Sequence, residues 1–287
     1  MLRQRILTAI VLLALFLPAL FSSSPWPFWG FTAVMILAAG WEWGRLNGLQ
    51  GLQAWVLGLM TCALAGLVAT FGQWTMGALE RAWLWNAVTC GWVVLGALAL
   101  RAGPQGWGRM APRTRQLLGV GLLALAWLAM LGARDRGVNF LLSVFCLVWV
   151  ADSAAYLGGR LLGRHKLALT ISPGKTWEGA FSGVLAVVFL ALGWSVWVDT
   201  APWAGGPSFF GTIRAHWGLP GMWIAASCLT ALAVVGDLFE SLLKRSVGVK
   251  DSSGLLPGHG GVLDRIDALI PVFPAAMALC ALKEWGP

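Results

Sequence analysis

The sequence SLLKRSVGVKDSSGLLPGHGGVLDRID, at residues 241–267, lies between two strongly apolar segments of this chain. It contains four Lys or Arg residues, three carboxylates, one histidine and six Gly or Pro residues. Asp237 and Glu240 precede it in the same apolar segment. Charged groups are costly beside segments that span hydrocarbon, so a membrane protein that keeps them there usually uses them. We expect this stretch to handle a metal ion and phosphate at the cytoplasmic face of a membrane.

The composition indicates an integral membrane protein. Of the 287 residues, 58% are hydrophobic and only 11% are charged, whereas soluble domains have about 25% charged residues. The five cysteines lie singly in apolar segments, which is typical of buried small side chains and not of a disulfide framework or a zinc site. The net charge of +8 is explained better by basic cytoplasmic loops than by nucleic-acid binding, and we expect no nucleic-acid partner.

Apolar segments predict the fold class. A membrane-spanning helix needs about 20 mostly apolar residues, and the sequence predicts an all-α integral membrane protein with about nine transmembrane helices and a cytoplasmic N-terminus. The first segment resembles a signal peptide, but no clear cleavage site follows it, so we interpret it as a retained helix. The predicted helices cover residues 6–22, 27–44, 54–73, 82–100, 117–133, 138–157, 177–198, 221–243 and 263–284.

The distribution of basic residues predicts the orientation. With nine spans, 15 of the 20 Lys and Arg residues lie on the side that carries the N-terminus and the loops 158–176 and 244–262. The positive-inside rule puts that side in the cytoplasm. We divide the chain into N-terminal membrane helices at 1–135 and a catalytic membrane region at 136–287, and we assign no role to the outer loop 199–220. The five basic residues on the other side are Arg81, Arg134, Arg136, Arg214 and Lys283.

Asp152 is the first candidate site residue. It lies within an apolar segment several residues before the loop 158–176, where an ionisable side chain is by default a functional candidate. The alternative is a structural ion pair with Arg160 or a bond to a backbone donor.

The segment SPGKT at residues 172–176 is the second candidate. Ser172 followed by Pro173 predicts a helix start, with Ser172 as the N-cap. Lys175 and Thr176 would then lie in the first turn, where free N–H groups attract phosphate. A cation is disfavoured in the first turn of an ordinary helix, so Lys175 favours a phosphate site over a purely structural helix start.

The end of the eighth predicted helix carries a polar face. Asp237, Glu240, Ser241 and Lys244 are spaced i, i+3, i+4 and i+7, so they share one side of a helix. A salt-bridged helix end would explain Glu240 and Lys244, but it would not explain Asp237, which lies deeper in the apolar segment.

The following loop supplies further candidates. Its Gly and Pro residues prevent a long helix and allow close backbone approach to a ligand. Lys244, Arg245 and Lys250 could hold phosphates, whereas His259 is expected to be a structural loop residue and not a base.

Three carboxylates form the candidate metal site. Asp264 and Asp267 are spaced i, i+3 at the start of the ninth predicted helix, at the same membrane boundary as Asp237. Oxygen ligands of this kind suit Mg²⁺. The alternative for Asp264 and Asp267 is stabilisation of a helix start, for which one Asp would suffice.

These motifs resemble the phosphatidate cytidylyltransferase (CDP-diacylglycerol synthase) family. The run from Ser241 to Asp267 fills the pattern S-x-x-K-R-x4-K-D…P-G-H-G-G-x-x-D-R-x-D throughout, and LALTISPGKTWEG resembles the second motif of the family. Leu169 stands where relatives often have Pro. The similarity in motifs covers about residues 151–180 and 236–270, and the N-terminal half agrees only as a series of membrane helices.

The resemblance implies transfer of a cytidylyl group from CTP to phosphatidate, with release of CDP-diacylglycerol and pyrophosphate in phospholipid biosynthesis. It implies one or two Mg²⁺ ions, membrane lipid as a partner, a homodimer, and a bacterial-type inner membrane with the active site facing the cytoplasm. Asp237, Asp264 and Asp267 would hold the metal, with Lys244 also catalytic. The expected substrate-binding residues are Asp152, Ser172, Lys175, Thr176, Arg245, Lys250, Asp251 and His259.

Two other functions stay open at this point. A CTP-dependent polyprenol or phytol kinase would release CDP instead of pyrophosphate, and we expect such a kinase to match only part of the motif. A secondary transporter would place its carboxylates near the bilayer midplane, often between related halves, whereas the charges here cluster at one face. A purely structural membrane protein would have no use for them.

Overall fold

The structure is a computed structural model that describes residues 2–281, apart from the side chains of residue 2 and residues 72–75. Helices account for nearly all of its regular structure. Their bounds are α1 Leu2–Phe21, α2 Trp26–Leu46, α3 Gly51–Thr75, α4 Ala78–Arg109, α5 Pro112–Asp135, α6 Val138–Leu162, α7 Trp177–Gly193, α8 Phe209–Ser246, α9 Leu263–Ile266 and α10 Leu269–Ala281. Lys283 and the end of the ninth predicted helix lie outside the described residues.

Seven of these helices are long and apolar enough to cross a membrane, within the part of the chain that the structure describes: α1, α3, α4, α5, α6, α7 and α8. The protein is therefore an integral membrane protein of the all-α class, as predicted. Each of the other predicted segments also contains a helix, namely α2 and the pair α9 and α10.

Two long helices are broken at glycines. Gly218 in α8 has a φ of 67°, and Pro220 follows it. This backbone conformation is accessible to glycine and rare for other residues, so α8 consists of a short helix before Gly218 and a long one after it. Gly103 divides α4 in the same way. Part of the predicted outer loop 199–220 is thus helical.

Polar contacts organise the rest of that outer loop. The carboxylate of Asp199 accepts hydrogen bonds from the Asn139 side chain at 2.8 Å and from the Ser208 amide and hydroxyl at 2.9 and 2.7 Å. Ser208 in turn caps the start of α8 through the Gly211 amide. The segment therefore closes the end of the bundle that lies away from the 241–267 stretch.

Residues 163–176 form a β-hairpin instead of the predicted loop and helix start. Strands β1 (Lys166–Ala168) and β2 (Ser172–Thr176) pair antiparallel, with Lys166 opposite Thr176. The prediction that Ser172 and Pro173 begin a helix is wrong. Thr176 is the N-cap of α7, because its hydroxyl accepts from the Gly179 amide at 3.1 Å.

The last two helices meet at a short turn at residues 267 and 268. Pro271 has no N–H, so it cannot bond to the carbonyl oxygen of residue 267 as a helix requires. Gly236 of α8 packs directly on this turn, where a Cβ would lie 2.5 Å from that carbonyl oxygen. Only a glycine allows such close approach, and it places the neighbouring Asp237 beside Asp267.

Candidate active site

A polar cavity of about 600 Å³ opens where the hairpin, α6, α8 and α9 meet. It collects residues that are far apart in the sequence. The predicted site residues that line it are Asp152, Ser172, Lys175, Thr176, Asp237, Lys244, Asp251, Asp264 and Asp267. The structure thus brings the two motifs together in one cavity.

The remaining three predicted site residues do not line this cavity. Arg245 donates to the carbonyl oxygens of Ile171 at 3.3 Å and Val249 at 3.1 Å, so it ties the hairpin to the loop after α8. Lys250 is exposed on that loop. His259 lies in a tight turn, where its amide donates to the Leu256 carbonyl oxygen at 2.8 Å.

Lys175 bridges the two halves of the site. It lies in β2, so the expected conflict of a cation in a first helical turn does not arise. Its ammonium group is 2.5 Å from a carboxylate oxygen of Asp237. The strand conformation lets the hairpin reach across the cavity to α8, which a helix starting at Ser172 would not do.

Lys244 holds a second pair of carboxylates. Its ammonium group lies 2.5 Å from Glu240 and 2.6 Å from Asp264. The pairing of Glu240 with Lys244 that the spacing indicated is therefore present, and Lys244 also pairs with Asp264. The Lys244 side chain is only 12% exposed, so bulk water screens these contacts weakly.

Both oxygens of Asp264 are hydrogen-bonded. One accepts from Lys244, and the other lies within 3.0 Å of the Ser252 amide, the Ser252 hydroxyl and the Gly261 amide. Hydrogen bonds to the charged form favour it, so these donors stabilise Asp264 as a carboxylate.

Asp267 lies in a strongly negative environment. Its carboxylate accepts from the Ala268 amide at 2.7 Å, and Asp152, Asp237 and Lys175 line the same cavity. Three carboxylates thus share one lysine, which is an arrangement that a bound cation would stabilise.

The donor chemistry fits a hard divalent cation. One oxygen of Asp237 and one of Asp267 have no hydrogen-bond partner among residues 2–281, and carboxylate oxygens are the ligands that Mg²⁺ prefers. No three side chains in the described part of the chain already converge as a metal-ligand cluster. Asp264 could join such a set through the oxygen that accepts from Lys244, because a carboxylate oxygen has two lone pairs.

Glu42 is a residue of the site that the sequence analysis missed. It is fully buried in α2, and its carboxylate accepts hydrogen bonds from the Val262 and Leu263 amides at 2.9 and 2.6 Å. The hydroxyls of Ser253 and Ser252 lie 2.5 and 3.1 Å from it. One carboxylate therefore fastens both ends of the loop 252–263, and it does so next to Asp264.

The signal for Glu42 was present in the sequence. An acidic residue in an apolar segment is expensive and usually functional, and this argument selected Asp152. Glu42 is the same kind of residue, near the end of the predicted helix 27–44. Its partners are about 210 residues away in the chain, so only the folded structure reveals what it binds.

Comparisons with known proteins agree with the motifs. The model of a family described as the cytidylyltransferase family matches residues 3–283. A phosphatidate cytidylyltransferase of Pseudomonas aeruginosa is 36% identical over 100% of this chain and 99% of its own. Proteins of the same name from Haemophilus influenzae and Brucella suis are each 35% identical, over 96% and 98% of this chain and 96% and 92% of their own.

We predict that Glu42→Gln destabilises the protein. In the variant, the NH₂ group of Gln would face a backbone N–H of Val262 or Leu263, so two donors would meet without an acceptor. Each buried donor left unsatisfied costs about 1–3 kcal/mol. Thermal unfolding in detergent should show a melting temperature lower by about 5 °C or more.

Glu80→Gln is the matched control for this variant. Glu80 is exposed, and its carboxylate accepts a hydrogen bond from the Gly77 amide at 2.8 Å. The free energy of unfolding should therefore change by less than about 0.5 kcal/mol in this variant. Equal melting temperatures for the two variants would contradict the role assigned to Glu42.

Proposed function

The chain belongs to the cytidylyltransferase family, and from this membership and the charges in the polar cavity we infer that it transfers a cytidylyl group from CTP to phosphatidate. The products are CDP-diacylglycerol and pyrophosphate, and the protein is an enzyme of phospholipid biosynthesis. The observation that carries the proposal is the meeting of both motifs in one cavity, with lysines and carboxylates suited to a nucleotide triphosphate and its cation.

The reaction needs little proton chemistry. An oxygen of the lipid phosphate attacks the α-phosphorus of CTP, and the bond between that phosphorus and the oxygen bridging to the β-phosphorus breaks. Pyrophosphate leaves with the electron pair. The nucleophile is already an anion, so no strong general base is required. Catalysis consists of positioning the two substrates and neutralising charge as it develops on the leaving group.

Lys175 and Lys244 are the residues that neutralise phosphate charge. Each ammonium group now pairs with carboxylates in the cavity, and each can turn to a phosphate oxygen at a small displacement. Arg160 also lines the cavity and adds a third cation. Thr176 acts indirectly, because its side chain caps α7.

A divalent cation, proposed to be Mg²⁺, would be held by Asp237 and Asp267, which have unpaired carboxylate oxygens. Asp152 lines the same cavity, and Asp264 both belongs to the proposed set and pairs with Lys244. The cation would supply charge neutralisation at the phosphates when bound. Lys175, which pairs with Asp237, would add a positive charge beside it.

The finer topology is also a proposal. We place all nine predicted segments across a bacterial inner membrane, with the N-terminus and the polar cavity on the cytoplasmic side, because 15 of the 20 basic residues then lie inside. We further propose a homodimer, on the basis of the family resemblance. The mass of the detergent-solubilised protein tests the dimer.

Product analysis tests the reaction directly. With CTP labelled at the α-phosphate, the label should appear in the lipid product, and with CTP labelled at the γ-phosphate it should appear in pyrophosphate. A CTP-dependent lipid kinase would instead place the γ-label in the lipid. Label from the α-position that stays in a soluble nucleotide would rule out the proposed transfer.

Asp237→Asn should remove the cation-dependent activity. The loss of one negative charge at the site should lower kcat by about a hundredfold or more. Mg²⁺ should raise the melting temperature of the parent protein, because a ligand that binds only the folded state stabilises it, and this shift should disappear in the variant. Glu80→Gln should retain both properties. A Mg²⁺-dependent shift that persists in Asp237→Asn would refute the cation assignment.

A cysteine-accessibility experiment tests the orientation. Lys250→Cys places a thiol on the exposed loop after α8, and a membrane-impermeant maleimide should label it in inverted vesicles but not in intact cells. Arg214→Cys, on the predicted outer side, should give the opposite pattern. Labelling of Lys250→Cys in intact cells would overturn the proposed orientation.

A further inference from the structure

A second cavity, the apolar groove, lies beside the polar one. It has a volume of about 290 Å³ and runs between α1, α2, α5, α6, α9 and α10. Apart from Thr32 and Arg265, its lining side chains are aliphatic, aromatic or thioether groups. A charged nucleotide would find almost no partners there, so the groove suits a hydrocarbon chain.

The groove ends at the catalytic stretch. Leu256, Val262, Arg265 and Ile266 form that end, and all four belong to residues 241–267. Arg265 lines both the apolar groove and the polar cavity. Its Nε donates to the His259 carbonyl oxygen at 3.0 Å, and one of its terminal nitrogens donates to the same oxygen. The guanidinium group therefore stands fixed at the boundary between the two cavities.

Contacts made by helices from the first and last parts of the chain fix the walls of the groove. The Thr8 hydroxyl of α1 donates to the Pro257 carbonyl oxygen at 2.9 Å, which fastens α1 to the catalytic stretch. Deeper in the groove, the Phe145 ring packs edge-on against Phe16 at 5.6 Å and Phe273 at 5.2 Å between ring centroids. Helices from the first and last parts of the chain thus build one hydrophobic channel.

We propose that the apolar groove binds an acyl chain of the lipid substrate while Arg265 binds the phosphate of that lipid at the boundary. The proposal rests on the proposed function and adds where the lipid lies. The position of a cation at one end of an apolar groove matches an anionic headgroup attached to hydrocarbon.

This binding mode places the nucleophile. The lipid phosphate at Arg265 would be adjacent to Asp264 and Lys244, on the side of the polar cavity that faces α9. The triphosphate would then occupy the side that faces the hairpin and Lys175. The groove therefore fixes the direction from which the phosphate oxygen approaches CTP.

Kinetics with lipids of two chain lengths test the groove. Met35 lines the groove and lies seven residues before Glu42 in α2, about 10 Å from the level of the catalytic loop. Met35→Trp should fill the channel at that level. The KM for dioleoyl phosphatidate in mixed micelles should rise about tenfold or more, while the KM for dioctanoyl phosphatidate should change by less than about twofold.

Val34→Trp is the matched control. Val34 is the preceding residue of α2, is 64% exposed and does not line the groove, so this variant should leave both KM values within about twofold of the parent protein. A dioleoyl KM that stays unchanged in Met35→Trp, or an equal rise for both lipids, would overturn the groove assignment. If the parent protein makes no labelled lipid from α-labelled CTP, the proposed function itself fails.

Arg265→Gln tests the headgroup end. The variant should raise the KM for phosphatidate about tenfold or more while the KM for CTP changes far less, because a charge-assisted bond to the lipid phosphate is lost. A melting temperature within about 3 °C of the parent protein shows that the loop is intact. A larger rise in the KM for CTP than for phosphatidate would place Arg265 on the nucleotide and overturn its assignment to the lipid.

Discussion

The site depends on the hydrogen bonds that the Glu42 carboxylate accepts. This carboxylate is fully buried and receives hydrogen bonds from both ends of the catalytic loop. A buried charge is tolerated only when it is hydrogen-bonded or paired, so α2 and the loop must form together. Through Ser252, which lies within 3.1 Å of both Glu42 and Asp264, the same contact fixes the carboxylate that holds Lys244. The segment 136–287, which the sequence predicts to hold the active site, therefore relies on a residue of the N-terminal helices.

Ion pairs with two lysines allow several carboxylates to lie close together in the site. Like charges this close would repel one another and favour the protonated form. Lys175 neutralises Asp237, and Lys244 neutralises Asp264 and Glu240. Each lysine carries three donors on a flexible side chain, and in the proposed reaction they would turn from carboxylate to phosphate when CTP binds. The same groups would then stabilise the free protein and serve the reaction.

The sequence could predict the helices and most of the site because both depend on local patterns. Apolar segments of sufficient length identify membrane helices, and the i, i+3 and i+7 spacing of Asp237, Glu240 and Lys244 places them on one face. The hairpin at 166–176 was missed because Ser172-Pro173 has the local features of a helix start, whereas pairing with Lys166–Ala168 decides its conformation. Glu42 was missed because its partners are distant in sequence, and hydrogen bonds of that range leave no periodic pattern.

The two cavities together explain why the charged stretch lies between apolar helices. One substrate is soluble and highly charged, and the other is embedded in lipid, so the site must contact water and hydrocarbon at once. Residues 241–267 form one wall of the polar cavity and one end of the apolar groove, with Arg265 shared between them. Gly236 packs against the Asp267 carbonyl oxygen, where a Cβ would lie only 2.5 Å away. This close approach brings α8 against the start of the last helices, so Asp237 and Asp267 line the same cavity.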